Sequence, residues 1–244
     1  CKTLCAFCGC NKMITQNYSY ADEFINTLHK EFAYYQEMIP PGTEVFEIHL
    51  GGGSPSWLKP QELKRLLDPI LNSPKLKIDK NILEQLIELD PRTTTQEHCE
   101  ALSGLGFNRV SLGIQDTNPE VLKSIRRDQP LEVVTKVVTG LKENGIELIN
   151  MDLVYGLPFQ TTESIKETIK DILVFRPTRL ALYSYAHVPS KSPAQKLLER
   201  DGLPTTEEKM MIHEIARELL IKAGYQEIGM DHFALPSDSL YKSF

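Results

Sequence analysis

Short β-forming runs alternate with amphipathic stretches along nearly the whole chain, and that alternation limits the fold more than any other feature. Apolar, β-rich runs stand at residues 45–50, around 86–89, and at 109–114, 148–154 and 179–185, with a weaker one at 226–230. The segments between them carry helical periodicity and helix start signals. Phe24, Leu28, Phe32 and Tyr35 fall on one face of a helix, Pro60 opens QELKRLLDPIL, and Asn118 caps a helix that has Pro119 at its first position. Thr162 precedes ESIKETIKDIL, and Thr206 precedes EEKMMIHEIARELLIKAG, which ends on Gly224. Such alternation builds right-handed βαβ units and therefore a parallel α/β sheet, either doubly wound or rolled into a barrel.

Composition narrows the functional classes. At 244 residues, with 41% hydrophobic and 25% charged residues, the chain suits one globular domain. No apolar run reaches the length of a membrane span. A net charge of −6 and the lack of any Lys/Arg block argue against a nucleic acid partner. There is no initiating methionine, so the chain reads as a piece of a longer protein.

Chemistry-bearing residues gather at the ends of the expected strands. Gly51-Gly52-Gly53 follows VFEIHL, Glu88 lies at the end of the strand in LIELDP, Gln115-Asp116 follows RVSLGI, and Ala186-His187 follows LALYSY. Asp152 interrupts LINMDLVY, where a charge is costly without a partner. In a (β/α) barrel the carboxyl ends of the strands meet on one face, where ligands bind. Any one of these residues could be an ordinary turn or loop residue. Five strands with the same anomaly indicate an active face.

Four of the five cysteines lie in the opening CKTLCAFCGC, spaced C-x3-C-x2-C-x-C. Crowded thiols fit a reducing compartment and a metal site better than a disulfide framework. Short spacings let thiolates of one loop converge on an iron–sulfur cluster. Structural zinc, usually held by two separated pairs, is the alternative, and neither His29 nor His49 has ligand spacing to the loop. Cys99, alone in TTTQEHCEALSGLGF, reads as a buried helix residue.

C-x3-C-x2-C, with Phe7 before its third cysteine, resembles the signature of the radical S-adenosylmethionine (SAM) superfamily. CGCNK, HLGGGSPS, IELDPR, GIQD, RRDQ, NMDLVYGLPFQT, YSYAHVP and GMDHFA resemble, in order, the oxygen-independent coproporphyrinogen III oxidase family. That resemblance implies a (β/α)6-type radical SAM barrel with parallel strands, one domain over residues 1–244, cut short at both ends. Its first strand and C-terminal domain would be missing, and residues 205–244 would lead toward the latter. It implies a [4Fe–4S] cluster on Cys1, Cys5 and Cys8, with Cys10 a spectator. Two SAM molecules are implied as well. Gly52 and Glu88 would contact the one on the cluster, and Phe7, Gly53, Ser54, Gln115, Arg127, Asp152 and Ala186 would line the second. Residue types agree with this. Glycines admit close approach, carboxylates pair with an ammonium or accept ribose hydroxyls, and an arginine clamps a carboxylate. Ser54 departs from a more usual threonine but keeps the hydroxyl.

The implied activity is radical chemistry in porphyrin and haem biosynthesis. A reduced cluster splits SAM, and the 5′-deoxyadenosyl radical takes a β-hydrogen from a propionate of coproporphyrinogen III. Loss of carbon dioxide and one electron leaves a vinyl group; two rounds give protoporphyrinogen IX. The resemblance further implies a flavodoxin- or ferredoxin-type electron donor, a cytoplasmic location and a monomer. Two other readings stand beside it: a haem chaperone of the same superfamily, in which an aromatic often replaces Cys10, and a zinc-binding interaction module. A piece lacking its first strand is expected to keep the site residues, expose the edge at 45–50 and be inactive alone.

Overall fold

A computed structural model describes residues 1–79 and 83–243. The helices are α1 (Tyr20–Met38), α2 (Pro60–Leu71), α3 (Gln96–Leu105), α4 (Pro119–Ser124), α5 (Leu131–Glu143), α6 (Thr162–Leu173), α7 (Lys196–Glu199), α8 (Thr206–Lys222) and α9 (Ser239–Ser243). The strands are β1 (Thr43–Val45), β2 (Glu47–Leu50), β3 (Leu76–Ile78), β4 (Glu84–Leu89), β5 (Arg109–Gln115), β6 (Leu148–Tyr155), β7 (Arg179–Ser184), β8 (Gln226–Gly229) and β9 (His232–Ala234). Seven strands form one sheet in the order β2-β4-β5-β6-β7-β9-β8. The first five are mutually parallel, and β1 and β3 form a separate parallel pair. Among the described residues β2 and β8 do not pair, so the sheet is an open, partial barrel.

Strand alternation explains where the core and the site lie. Val110, Leu112, Ile114, Ile149, Met151, Leu153, Leu180 and Leu182 point into one apolar core, which helical residues such as Leu63, Leu102, Val138 and Ile169 complete. Ser111, Gly113, Asp152 and Val154, at the intervening positions, line a cavity on the opposite face. The alternation therefore assigns chemistry to one face and cohesion to the other.

Three expectations need correction. The run 45–50 is not one strand: it divides at Phe46, with β1 pairing with β3 and β2 pairing with β4. The division follows from two successive partners, and Phe46 is left exposed between them. The run 226–230 does not extend the parallel set. It is β8, which turns through the left-handed residues Met230 and Asp231 (φ 46° and 66°) into β9. β9 in turn runs antiparallel to β7. Both loop residues at positive φ give the two-residue geometry that favours a hairpin. On α1 the buried face is Ala21 and Ile25, with Leu28 against the core, while Phe24 and Tyr35 are 49% and 53% exposed.

Helix starts lie close to the expected positions. Asn118 accepts from the amides of Glu120 and Val121. The other two caps sit one residue earlier than expected, where Thr161 accepts from Ser164 and Thr205 from Glu208. Cys99 is buried in α3, and burial pushes its thiol up to about 11. No helix among the described residues is long and apolar enough to cross a membrane.

The amino ends of the strands are held by a buried ion network. Arg109, 1% exposed at the start of β5, donates to Asp238 Oδ2 at 2.9 Å and lies 3.1 Å from Glu84 of β4. Arg179 at the start of β7 donates to Asp238 Oδ1. Burial opposes the Asp238 charge, but the Leu240 amide and both guanidiniums outweigh it and hold its carboxyl below the ordinary range. A depressed carboxyl stabilises the fold above its unfolded pKa and loses that contribution as pH falls through the folded one. Asp238→Ala leaves the buried Arg109 charge facing Glu84 and the Ser239 hydroxyl, and the expected loss is about 3–5 kcal/mol. Urea unfolding at neutral pH checks this; equal midpoints for variant and wild type would show that the latch is dispensable.

Candidate active site

The cysteine loop is irregular chain tied down at several points. The Ala6 amide donates to the Ile125 carbonyl at 2.9 Å, and Cys8 N closes a turn onto Cys5 O at 3.2 Å. Gln195, buried behind the loop, donates to the carbonyls of Phe7 (2.9 Å) and Ala186 (3.2 Å). Ser192 donates to Cys8 O, and Lys12 reaches the carbonyls of Cys8 and Cys10. All five cysteines are free, Cys5 being buried and Cys10 exposed. The Cys10 thiol donates to Cys8 and, with Lys12, overcomes burial to pull Cys8 down to about 5. Cys10 moves up correspondingly.

The glycine run after β2 approaches this loop. Gly52 adopts φ +103° and its amide donates to Glu88 Oε2 at 3.2 Å. A Cβ on Gly53 would stand 3.3 Å from Cys1 Sγ, so the backbone lies directly against that thiol. Ser54 starts a short 3-10 turn and sits 3.3 Å from Ser56 Oγ, which meets Thr93 Oγ1 at 2.7 Å. Glu88 also faces His49, 3.4 Å away.

Asp152 is held from two sides. Ser111 Oγ donates to one carboxylate oxygen at 2.7 Å and Asn150 Nδ2 to the other at 2.8 Å. Burial nevertheless pushes its carboxyl up, and the charge of Glu88 adds to that. Burial also lifts Tyr183 to about 12, helped by the charges of Asp152 and Glu88. Gln115, the last residue of β5, takes a left-handed φ of 72° where the β5–β6 register shifts. A non-glycine residue held there stores strain of the kind that gathers at binding sites.

All twelve residues expected at the site line one cavity of about 670 Å³. Cys1, Cys5, Phe7 and Cys8 form one side, Gly52, Gly53, Ser54 and Glu88 the next, and Gln115, Arg127, Asp152 and Ala186 the rest. Asp116 and His187 do not line it. Asp116 is buried behind β5, accepting from Gln160 Nε2, Thr168 Oγ1 and Asn118 N. His187 contacts the Tyr185 hydroxyl and Glu199 instead. Sequence reasoning passed over Asp90 and Arg92, which also line the cavity. Arg92 forks onto Asp90, Nε to Oδ1 at 2.9 Å and Nη2 to Oδ2 at 2.6 Å. Burial opposes the Asp90 charge, but Arg92 and Arg127 hold the carboxyl below its usual range. The motif IELDPR contained the signal, since it places both residues just past the strand that carries Glu88.

Among the described residues no three His, Cys, Asp or Glu side chains close on a single metal ion. Three free thiols on one tethered loop, with Gly53 against Cys1, are the donor type that an iron–sulfur cluster takes.

Residues 1–172 match the profile of the radical SAM superfamily. The chain belongs to that superfamily. Oxygen-independent coproporphyrinogen III oxidase of Escherichia coli K12 is 37% identical over 98% of the chain. The enzyme of the same name from Helicobacter pylori J99 is 38% identical over 99%. The chain spans about half the length of these curated relatives, 52% in each case. The solved coproporphyrinogen III oxidase of Escherichia coli, described as a radical SAM enzyme, superimposes with TM-score 0.94 at 36% identity, covering 100% of this chain and 55% of that one. The peptide-bound SuiB of Streptococcus suis, at 14% identity and TM-score 0.58 over 91% of this chain, shares the fold alone.

Radical SAM proteins work with a [4Fe–4S] cluster and SAM, and the cysteine loop carries the matching ligand motif. Cys1→Ser, Cys5→Ser and Cys8→Ser should each abolish the iron–sulfur absorbance of anaerobically reconstituted protein. Cys10→Ser should keep it. Equal loss in all four variants would contradict a set of three ligands and a spectator.

Proposed function

We propose that the chain is the radical SAM part of an oxygen-independent coproporphyrinogen III oxidase acting in haem biosynthesis. Its substrate is coproporphyrinogen III, two of whose propionates become vinyl groups in protoporphyrinogen IX. The observation that carries this reading is the likeness to the solved Escherichia coli oxidase over the entire chain, at a level of identity far above a shared fold. The convergence of the expected site residues on one cavity supports it further.

In this reading Cys1, Cys5 and Cys8 ligate the cluster. Gly52 and Glu88 hold SAM against it, Glu88 accepting from the SAM ammonium or ribose hydroxyls. Phe7, Gly53, Ser54, Gln115, Arg127, Asp152 and Ala186 line the subsite of a second SAM. When bound, cluster and SAM together supply a one-electron cleavage that yields a carbon radical. The chain's own part is positional. Gln195 fixes Phe7 relative to Ala186, and Ser111 and Asn150 fix the direction in which Asp152 presents its oxygens. The electron comes from a reduced flavodoxin- or ferredoxin-type protein, and the enzyme works as a cytoplasmic monomer.

The decisive assay is anaerobic reconstitution followed by SAM and coproporphyrinogen III, with protoporphyrinogen IX and carbon dioxide measured. Haem bound tightly without turnover would favour the haem chaperone branch instead. Asp152→Asn keeps the shape and the Ser111 contact, so the variant should fold and assemble its cluster yet lose at least tenfold in turnover. A variant that fails to fold while a rescued sample binds SAM normally would make Asp152 a structural residue.

A further inference from the structure

Two guanidinium groups converge on one cysteine sulfur. Arg92 Nη2 lies 3.3 Å from Cys5 Sγ, and Arg127 Nη1 lies 3.6 Å from the same atom. Cys8 instead meets the Cys10 thiol and the Lys12 ammonium. Asp90 aims both arginines, taking the fork from Arg92 and a contact from Arg127 Nη2 at 3.4 Å. Side-chain exposure is 16% for Arg92, 5% for Arg127 and 15% for Asp90, so water screens these charges little. One carboxylate against two guanidiniums leaves a net positive charge beside the sulfur.

The geometry points to Arg92 as a positioning residue for the cluster: held by Asp90, it donates to Cys5 and raises the potential at which the cluster accepts its electron. The physical basis is that reduction adds negative charge to the cluster, which spreads onto its ligand sulfurs. A donor N–H and a buried cation at one sulfur stabilise the reduced form more than the oxidised form. Cys5 is thereby the ligand that two guanidiniums face. Arg92 is better suited than a lysine, because its planar fork meets the Asp90 carboxylate with two nitrogens while Nη2 still reaches the sulfur. This inference rests on the cluster and not on the identity of the substrate.

The test is a potentiometric titration of reconstituted protein without substrate, followed by the paramagnetic signal of the reduced cluster. Arg92→Met should move the midpoint negative, by about tenfold in the reduction equilibrium, ~59 mV for one electron. Arg92→Lys keeps the charge without the fork and should shift it less but in the same direction. Arg65→Met, which removes a surface pair between α2 and Asp22 of α1, should leave it unchanged. An unaltered midpoint in Arg92→Met with full cluster content overturns the proposal, as does a loss of cluster content with no shift in what remains. Should Arg92→Met assemble no cluster, Arg92→Lys decides, and a wild-type midpoint there overturns it. Absence of coproporphyrinogen turnover in wild-type protein counts against the substrate assignment alone and leaves this measurement intact.

Discussion

The Asp90 carboxylate ties together three stretches of chain that lie far apart in sequence. It follows β4, binds Arg92 two residues later, and reaches Arg127 beyond α4, while both arginines extend to Cys5 in the opening loop. Arg127 also donates to the Gly113 carbonyl of β5, where a Cβ would stand only 3.2 Å from its Nη2. Three nearly buried charges survive together because each satisfies another; removing one would leave the rest without compensation. The cysteine loop contributes no regular structure of its own, so its placement depends on contacts of this kind, on the Ala6–Ile125 backbone bond and on Gln195.

Sheet polarity separates stability from chemistry. At the amino ends, Glu84, Arg109, Arg179 and Asp238 join β4, β5 and β7 to the segment after β9, far from the cavity along each strand. At the carboxyl ends the same strands release Glu88, Gln115 and Ala186 into the cavity. Loops can carry binding residues there because the scaffold beneath them is fixed at its other end. The antiparallel β8–β9 pair extends the sheet without adding a further βα loop to that face.

What could be read in the sequence depends on how local its cause is. β5 and β6 were legible because Val110, Leu112 and Ile114, like Ile149, Met151 and Leu153, recur at every second position on the face that meets the core. The division of 45–50 was not, since it depends on where residues 76–78 and 84–87 lie. The face of α1 went wrong for a similar reason: four large apolar residues at helical spacing outweighed Ala21 and Ile25, yet the available contact was against α2. Within the site, residue type and strand position identified what lines the cavity. They could not tell Asp116, which is turned into the protein, from a ligand, and they passed over Arg92 because an arginine after proline reads as an ordinary turn.

The stretch GIQD shows how fold and site compete for neighbouring positions. A Cβ on Gly113 would come within 2.8 Å of Gln115 Nε2 and 3.2 Å of Arg127 Nη2, so a side chain there would displace the ends of both. Gln115 must face the cavity, and it does so through a left-handed backbone at a register shift, at a cost of about 1–3 kcal/mol. Asp116 then turns inward and fixes Asn118, Gln160 and Thr168, so that α4 starts at a set place and carries Arg127 back to Cys5. The strain at Gln115 is thus sustained by a buried network on one side and by β6 pairing on the other. Asp116, which stands beside it in sequence, is what allows Gln115 to line the cavity.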